Sequence, residues 1–335
     1  MTIDYALIWA GLIAFAVLAY VVLDGFDLGV GILFPLVPDE EDRDRMMNSV
    51  APVWDGNETW LVLGGGGLFA VFPLAYAIIM PALYAPIIIM LLALAFRGVA
   101  FEFREKSRNH KYLWSRAFSG GSTVAAFAQG VALGALVQGI PVSGRAYAGG
   151  WWDWLSPFSL ATGVALLIGY ALLGSTWLCM KTEGALQQRA RRYARVAGIL
   201  MFVMIVAVSL WTPFHHQHFM AKWFVWPVAL FVAPVPLLLM ICGFVLFVGL
   251  AQRHPVAPFM ASLGLFVLSY MGLLISFFPY MVPSSVTLWD AAGPDSSLKF
   301  LLIGAVVLLP IVLAYTIYSY WVFRGKVGES GGYQS

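Results

Sequence analysis

The chain alternates long apolar segments with short polar connections, and this pattern predicts helices that cross a membrane. Crossing about 30 Å of hydrocarbon takes roughly 20 apolar residues in a helix. Nine segments reach that length, at residues 6–34, 52–72, 74–101, 116–138, 156–180, 193–213, 223–250, 257–281 and 298–323. We therefore expect an all-α integral membrane protein with nine transmembrane helices and no inserted soluble domain.

Prolines open the third and seventh segments in a similar way. The third reads Phe72-Pro73-Leu74-Ala75 with Pro81 following, and the seventh reads Trp226-Pro227-Val228-Ala229 with Pro234 following. If the two segments correspond, the chain contains a weak repeat in which helices 1–4 match helices 5–8. The fold would then be two four-helix bundles plus one extra helix, helix 9. Because prolines are common in membrane helices, chance explains the similarity equally well. Residues 1–335 are taken as a single polytopic membrane domain.

Composition and charge agree with a membrane protein and indicate its orientation. Hydrophobic residues make up 61% of the chain and charged residues 11%, against about 25% charged in soluble domains. Of the 19 Lys and Arg, 15 lie in the odd-numbered loops and the C-terminal tail, whereas the even-numbered loops hold Arg145, Lys222 and Lys299. The positive-inside rule then predicts an outer N-terminus and a cytoplasmic C-terminus. The basic loops at 104–116 and 189–195 are expected to face anionic lipid heads, and nothing points to nucleic acid.

Ionisable side chains within the apolar segments are the first candidates for function, because such groups are costly in a bilayer and are usually kept for a purpose. Two of the pairs are spaced i, i+3, which places both members on one helix face. All of these residues are expected near the cytoplasmic ends of the first three helices. They are Asp24 and Asp27 in the first segment, Asp55 and Glu58 in the second, and Arg97 with Glu102 at the end of the third.

Two interpretations of this charged set stay open. Arg97 could be a structural counter-ion for Asp27 or Asp55, because a buried pair is costly to break even where it adds little net stability. The acids outnumber the arginine, however, and the surplus should be protonated, hydrated or part of a proton relay. The glycines at 64–67 are expected to allow close helix packing, within this chain or against a partner.

No residue pattern indicates a haem or metal site in this chain. All five histidines fall in loops or at their edges, whereas haem in a helical bundle takes axial His or Met ligands from the helices. The His215-His216-Gln217-His218 run has no nearby carboxylate or thiolate, so a solvated loop is favoured over a metal site.

Several motifs together resemble subunit II of the cytochrome bd family of quinol oxidases, including its cyanide-insensitive branch. The resemblance extends over the whole chain. Its motifs are Asp24–Gly31, Asn48–Asn57, Phe96-Arg97, Phe101–Arg104, Gly169-Tyr170, Leu172–Gly174, Thr176–Leu178, Lys181–Gly184, Phe278–Tyr280 and Pro283–Ser285.

The resemblance implies a nine-helix subunit in the inner membrane of a bacterial respiratory chain, without a catalytic centre of its own. Its partner would be subunit I, which carries haem b and haem d; small single-helix subunits and lipids could join them. The electrogenic complex would oxidise quinol and reduce dioxygen to water.

The resemblance also implies roles for individual residues. Subunit II would support assembly of subunit I and supply part of a cytoplasmic proton path. A structural quinone is possible in some members. Glu102 stands where some relatives carry Asp, and the outer loop before helix 9 is short. The implied proton path comprises Asp24, Asp55, Glu58 and Glu102, and the implied quinone region or charge cluster comprises Asp27, Trp54 and Arg97.

Two rival functions remain at this point. A proton-coupled secondary transporter also gathers acids and an arginine inside its helices, although the sequence shows no half-helix pair broken at matching midplane positions. The second rival is a purely structural scaffold, in which the acidic residues only hold helices together. A co-purifying haem partner with quinol-dependent oxygen uptake would separate these possibilities.

Overall fold

The computed structural model describes residues 3–107, 109–215, 226, 228–328 and 333–334. Within them the chain is α-helical, apart from three two-stranded antiparallel ladders and a 3-10 turn at Phe34–Leu36. The helices are α1 (Tyr5–Leu33), α2 (Glu40–Val50), α3 (Trp54–Val71), α4 (Pro73–Ala82), α5 (Tyr84–Lys106), α6 (Lys111–Gln138), α7 (Pro157–Lys181), α8 (Gly184–His215), α9 (Val228–Val232), α10 (Pro234–Ala251), α11 (Ala257–Phe277), α12 (Leu288–Ala291) and α13 (Asp295–Val322). The ladders pair β1 (Val142–Ser143) with β2 (Ala146–Tyr147), β3 (Tyr280–Val282) with β4 (Val286–Thr287), and β5 (Lys326–Val327) with β6 (Tyr333–Gln334).

Eight helices in the described part of the chain are long and apolar enough to cross a membrane, which confirms an all-helical, multi-pass membrane protein. The second predicted segment is the exception. Its helix, α3, has 18 residues, but its first turns carry Asp55, Asn57 and Glu58, and it is not among the eight. The count of nine spans and the orientation stay predictions. The eight spans are Tyr5–Leu36, Tyr84–Lys106, Lys111–Gln138, Pro157–Lys181, Gly184–Thr212, Val228–Ala251, Ala257–Phe277 and Asp295–Val322.

The third predicted segment is not one continuous helix, contrary to expectation. α4 ends at Ala82 and α5 begins at Tyr84, with Leu83 between them at φ −110° and ψ 19°. Pro86 accounts for the interruption, because it offers no N–H to the carbonyl of Ala82 and its ring crowds that turn. The seventh segment is interrupted between α9 and α10 in the same way, three residues before Pro236.

α1 lies at the centre of the helix packing, against α3, α6 and α7. Every residue from Asp24 to Gly31 is buried. Glycines allow the backbones of α1 and α7 to touch there: a Cβ on Gly29 would overlap the carbonyl of Tyr170, and a Cβ on Gly174 would overlap the backbone of Gly29. Small residues at such crossings are how membrane helices approach closely.

The glycine run at 64–67 makes no such crossing within the described part of the chain. A Cβ on Gly65 or Gly66 would have nothing within 4 Å, and one on Gly64 or Gly67 would meet only side chains of α1. The expectation of close packing within this chain is therefore wrong for Gly65 and Gly66. Contact with a partner at these residues stays a prediction.

The short helix α2 neutralises part of the basic loops. The Asp39 side chain caps the start of α2 by accepting hydrogen bonds from the backbone N–H groups of Glu41 and Asp42. The acidic residues in the first turn interact favourably with the positive end of the helix dipole. Arg104 contacts Asp44 at 2.6 Å and Glu40 at 2.9 Å, and Arg189 contacts Asp42 at 3.0 Å. These arginines are therefore paired within the chain rather than free to meet lipid heads.

Helix contacts also group α7 with α8 and α11, and α10 with α8 and α11. The internal repeat and the division into two four-helix bundles stay predictions. Some residues of the sequence analysis lie outside the described part of the chain; they are Arg108, His216, Gln217, His218, Lys222 and Pro227.

Candidate functional site

Arg97 on α5 is surrounded by three carboxylates from two neighbouring helices. Its Nη1 lies 2.7 Å from Asp24 Oδ1 and 3.6 Å from Glu58 Oε2, and its Nη2 lies 3.8 Å from Asp27 Oδ2. The side chains of Arg97, Asp24 and Asp27 have no exposed surface, whereas the Glu58 side chain is 27% exposed. The cluster is therefore sealed on the α1 side and open at Glu58.

Helix geometry explains why these residues meet. Asp24 and Asp27 are three residues apart on α1, so both point toward α5. α6 closes the site from behind, because Gly121 lies where a Cβ would press on the carbonyl of Ala93 and the backbone of Arg97. The Cα of Arg97 lies about 14 Å along the helix axis from the end of α5 at Lys106, at a rise of about 1.5 Å per residue.

An amide and a phenol also hold the buried Asp27. Asn57 Nδ2 donates to Asp27 Oδ2 at 2.7 Å. The Tyr320 hydroxyl donates to Asn57 Oδ1 at 2.8 Å, which fixes the orientation of the amide. In the sequence Asn57 stands out only as the last residue of the Asn48–Asn57 motif, and Tyr320, 263 residues away, carries no signal at all.

Trp54 forms the aromatic wall of the cluster. Its ring stacks on Phe101 with centroids 4.7 Å apart and planes within 5°. The Arg97 guanidinium carbon lies 5.8 Å from the centroid of each ring, within the range of a cation–π contact. A Cβ on Gly98 would touch the indole at 3.4 Å, so a small residue lets the ring lie flat against α5.

Two of the acids expected in the site are not in the cluster. Asp55 is exposed and makes no ion pair with Arg97 in the described part of the chain. Glu102 is exposed and pairs with Lys106 at 3.0 Å. Five residues separate Glu102 from Arg97, which turns it about 140° around the helix, so nearness in sequence does not bring it to the cluster.

Besides atoms of the four charged residues themselves, two buried polar groups near the cluster have no hydrogen-bond partner among the described residues. One is the hydroxyl of Tyr20, one turn before Asp24 on α1, and the other is Nε1 of Trp60 on α3. Buried polar groups of this kind usually bind water. The interior beside Asp24 is therefore able to hydrogen-bond to small polar molecules.

The three residues expected to border a quinone do not offer it a common surface. Asp27 and Arg97 are wholly buried and contact each other, so a quinone headgroup could touch only Trp54 of the set. These residues do not fit a bound quinone in this arrangement, and no step is derived through one.

The described histidines lie outside the cluster. His110 and His254 are exposed, and His254 Nδ1 accepts hydrogen bonds from the backbone N–H groups of Val256 and Ala257.

Comparisons with known proteins find sequence similarity over nearly the whole chain. The family model described as cytochrome bd terminal oxidase subunit II matches residues 5–323. The cytochrome bd-I ubiquinol oxidase subunit 2 of Escherichia coli K12 is 31% identical over 374 residues, covering 97% of this chain and 96% of that protein. The cytochrome bd ubiquinol oxidase subunit 2 of Bacillus subtilis 168 is 32% identical over 336 residues, covering 96% of each.

A solved structure shares the fold. A chain of the bd oxidase from Geobacillus thermodenitrificans superposes with a TM-score of 0.77 at 16% identity, covering 97% of this chain and all of that one.

Proposed function

Because this chain belongs to the cytochrome bd terminal oxidase subunit II family, we propose that it is the haem-free subunit of a quinol-oxidising, oxygen-reducing complex in the bacterial inner membrane. The curated relatives carry the name of ubiquinol oxidase subunits. Haems in a partner subunit I would supply the electron transfer and dioxygen chemistry. The residues of this chain would support assembly of that partner and transfer protons from the cytoplasm.

The observation that carries the proton role is the charge imbalance at Arg97. Three carboxylates lie within 4 Å of one guanidinium. Ionising all three would leave two uncompensated negative charges, and uncompensated buried charge costs several kcal/mol. Holding protons on the acids removes that cost. We therefore assign the cluster the task of storing and passing protons.

The exposure of the acids suggests the order in which protons travel. Asp24 and Asp27 have no exposed surface, whereas Glu58 is partly exposed. Glu58 is then the link between the buried pair and the surface. Exposed Asp55, one turn earlier on α3, and exposed Glu102 would collect protons at the predicted cytoplasmic side.

The proposal includes the membrane arrangement. α3 would be the ninth span despite its polar start, because its 18 residues rise about 27 Å as a helix, close to the roughly 30 Å of hydrocarbon to be crossed. The N-terminus would lie outside and the C-terminus in the cytoplasm. α13 carries exposed apolar side chains along its length, among them Phe300, Ile303, Val307 and Ile311, so a large apolar surface is available to the partner, to small single-helix subunits or to lipid.

Purification through a tag on this chain tests the function. We expect a haem-bearing partner to co-purify and the complex to consume oxygen when given quinol. Separated from that partner, the chain should show no haem absorption band. A chain that purifies without a haem partner, or a complex without quinol-dependent oxygen uptake, would overturn the proposal and favour a transporter or a scaffold.

A further inference from the structure

Four arginines meet at the first turns of α8 without a carboxylate to neutralise them. Arg191, Arg192 and Arg195 of α8, with Arg253 from the connection after α10, line an open cleft together with Gln188. Across the described residues, none of the four lies within 4 Å of an acid. Arg189 on the same helix shows the contrast, because it pairs with Asp42.

The cleft is built by specific contacts. Arg191 Nη2 donates to the carbonyl of Arg253 at 3.0 Å, and Arg195 Nη2 donates to the carbonyl of Leu250 at 3.4 Å. Arg253 adopts the left-handed conformation, with φ of 59°, which is uncommon for a residue other than glycine. The side chains of α8 thus hold the connection in a shape that brings a further cation to the cluster.

Four arginine side chains grouped in one cleft favour the binding of an anion. Guanidinium groups repel one another at close range, and this repulsion is relieved when a negative group lies between them. Nε of Arg191 is buried and has no hydrogen-bond partner among the described residues. Arginine forks match the oxygens of a phosphate in a bidentate manner. The chemistry of the cleft therefore fits a phosphate group.

The surroundings favour a phosphate that belongs to a lipid. The cleft lies at the ends of two membrane-spanning helices, α8 and α10. An apolar strip leads away from it along α8, formed by Val196 (59% exposed), Ile199 (57% exposed) and Val203 (57% exposed). A free phosphate ion would make no contact with this apolar strip, whereas the acyl chain of a phospholipid would cover it.

We propose that the arginine cleft formed by Arg191, Arg192, Arg195 and Arg253 binds the headgroup phosphate of an anionic phospholipid. Its acyl chains lie along Val196, Ile199 and Val203. The site is separate from the carboxylate cluster at Arg97, and the proposal does not depend on oxidase activity.

Native mass spectrometry of the delipidated, detergent-solubilised complex tests the site, with phosphatidylglycerol added as the probe. The double variant R192Q/R195Q removes two cations but keeps Arg191, whose 3.0 Å hydrogen bond to the Arg253 carbonyl is the shorter of the two contacts that hold the connection. Arg116 and Arg324 are exposed outside the cleft, so R116Q/R324Q removes the same charge and serves as the matched control. We expect R192Q/R195Q to weaken phosphatidylglycerol binding roughly 30-fold, which corresponds to about 1 kcal/mol for each arginine near a lipid surface.

Each outcome decides the proposal. Tighter binding of phosphatidylglycerol than of phosphatidylcholine, lost in R192Q/R195Q and kept in the control, supports it. Equal binding by both double variants overturns it, as does equal binding of the two lipids. Displacement of the lipid by an equal concentration of inorganic phosphate overturns the lipid assignment, because it would show that the cleft recognises a free anion.

Discussion

Gly29 lies directly against the backbone carbonyl of Tyr170, so closely that a single methyl group on Gly29 would overlap the oxygen. This contact fixes the distance between α1 and α7. Asp24 and Asp27 lie on the adjoining turns of α1, so the position of both buried acids depends on how closely the two helices approach.

Gly29→Ala should destabilise the protein. The added methyl meets backbone, which cannot rotate away, so the helices must separate, and overpacking of this kind costs about 1–3 kcal/mol. Thermal unfolding of the purified complex measures the effect. Gly11→Ala is the matched control on the same helix, because nothing lies within 4 Å of its Cβ position. Equal melting temperatures for the two variants would contradict the packing argument.

Arg97→Ala should lower the amount of assembled protein more than its specific activity. The change leaves Asp24, Asp27 and Glu58 without the guanidinium that each of them contacts. Breaking a buried ion pair costs about 3–5 kcal/mol, although protonation of the acids recovers part of this. The measurements are yield per cell and oxygen uptake per haem, with Arg116→Ala as an exposed control. Full yield combined with abolished turnover would mean that Arg97 serves the reaction directly.

The meeting of Arg97 with three acids could be expected from sequence because helix spacing places the acids on one face and the loop charges predict a common depth. Spacing alone also shows why Glu102 does not join them. The links through Asn57 and Tyr320 could not be foreseen, since they depend on how α13 lies against α3. No local pattern records a contact between residues 263 positions apart.

The ion pairs of α2 were missed for a different reason. The loop arginines indicate orientation and were expected to face lipid heads, yet Glu40, Asp42 and Asp44 lie opposite Arg104 and Arg189. The interruption at Leu83 could have been foreseen from Pro86, because a proline three residues after a break removes a specific backbone hydrogen bond.

Asp44 should make the folding stability of the protein depend on pH. Partial burial opposes ionisation of this carboxyl, but hydrogen bonds from Lys111 and Arg104 outweigh it and lower the pKa of Asp44 below its ordinary value of 3.8. A group whose folded pKa is depressed stabilises the fold above the unfolded pKa and loses that contribution as the pH falls through the folded value.

Asp44→Asn should therefore melt at a lower temperature than the wild type at pH 7, with the gap closing as the pH falls below about 4. Melting curves at several pH values measure this. Glu105→Gln, which changes an exposed acid, is the control and should show no such gap. A gap that stays constant down to pH 3 would contradict the assignment.

Tyr320→Phe should loosen the amide that binds Asp27. The change removes the hydroxyl that donates to Asn57 Oδ1 at 2.8 Å, and a net hydrogen bond contributes about 1 kcal/mol. We expect a small loss of thermal stability. Tyr315→Phe is the control, since Tyr315 lies on the same helix and is exposed. Equal melting temperatures for the two variants would show that Asn57 is held without the phenol.

Glu58 and Asp55, one turn apart on α3, lie where protons from the surface would enter the cluster. Reducing dioxygen to water consumes protons, and bare charge is too costly in a low-dielectric interior, so protons must pass between titratable groups. Glu58 contacts Arg97 and keeps 27% of its side chain exposed, whereas Asp55 is exposed and outside the cluster. Any proton reaching buried Asp24 or Asp27 from this surface should therefore pass Glu58.

Glu58→Gln keeps the shape and hydrogen bonding of the side chain but removes its titration. We expect normal haem content and quinol-driven oxygen uptake per haem slowed roughly 10-fold or more, in line with the loss of a proton-transferring group. Asp55→Asn should slow uptake less, with a rate that falls more steeply as the pH rises. Asp295→Asn, at the first turn of α13, controls for the loss of an acid elsewhere. If both α3 variants match the wild type at every pH, the acids of α3 serve packing and the protons arrive through the partner subunit.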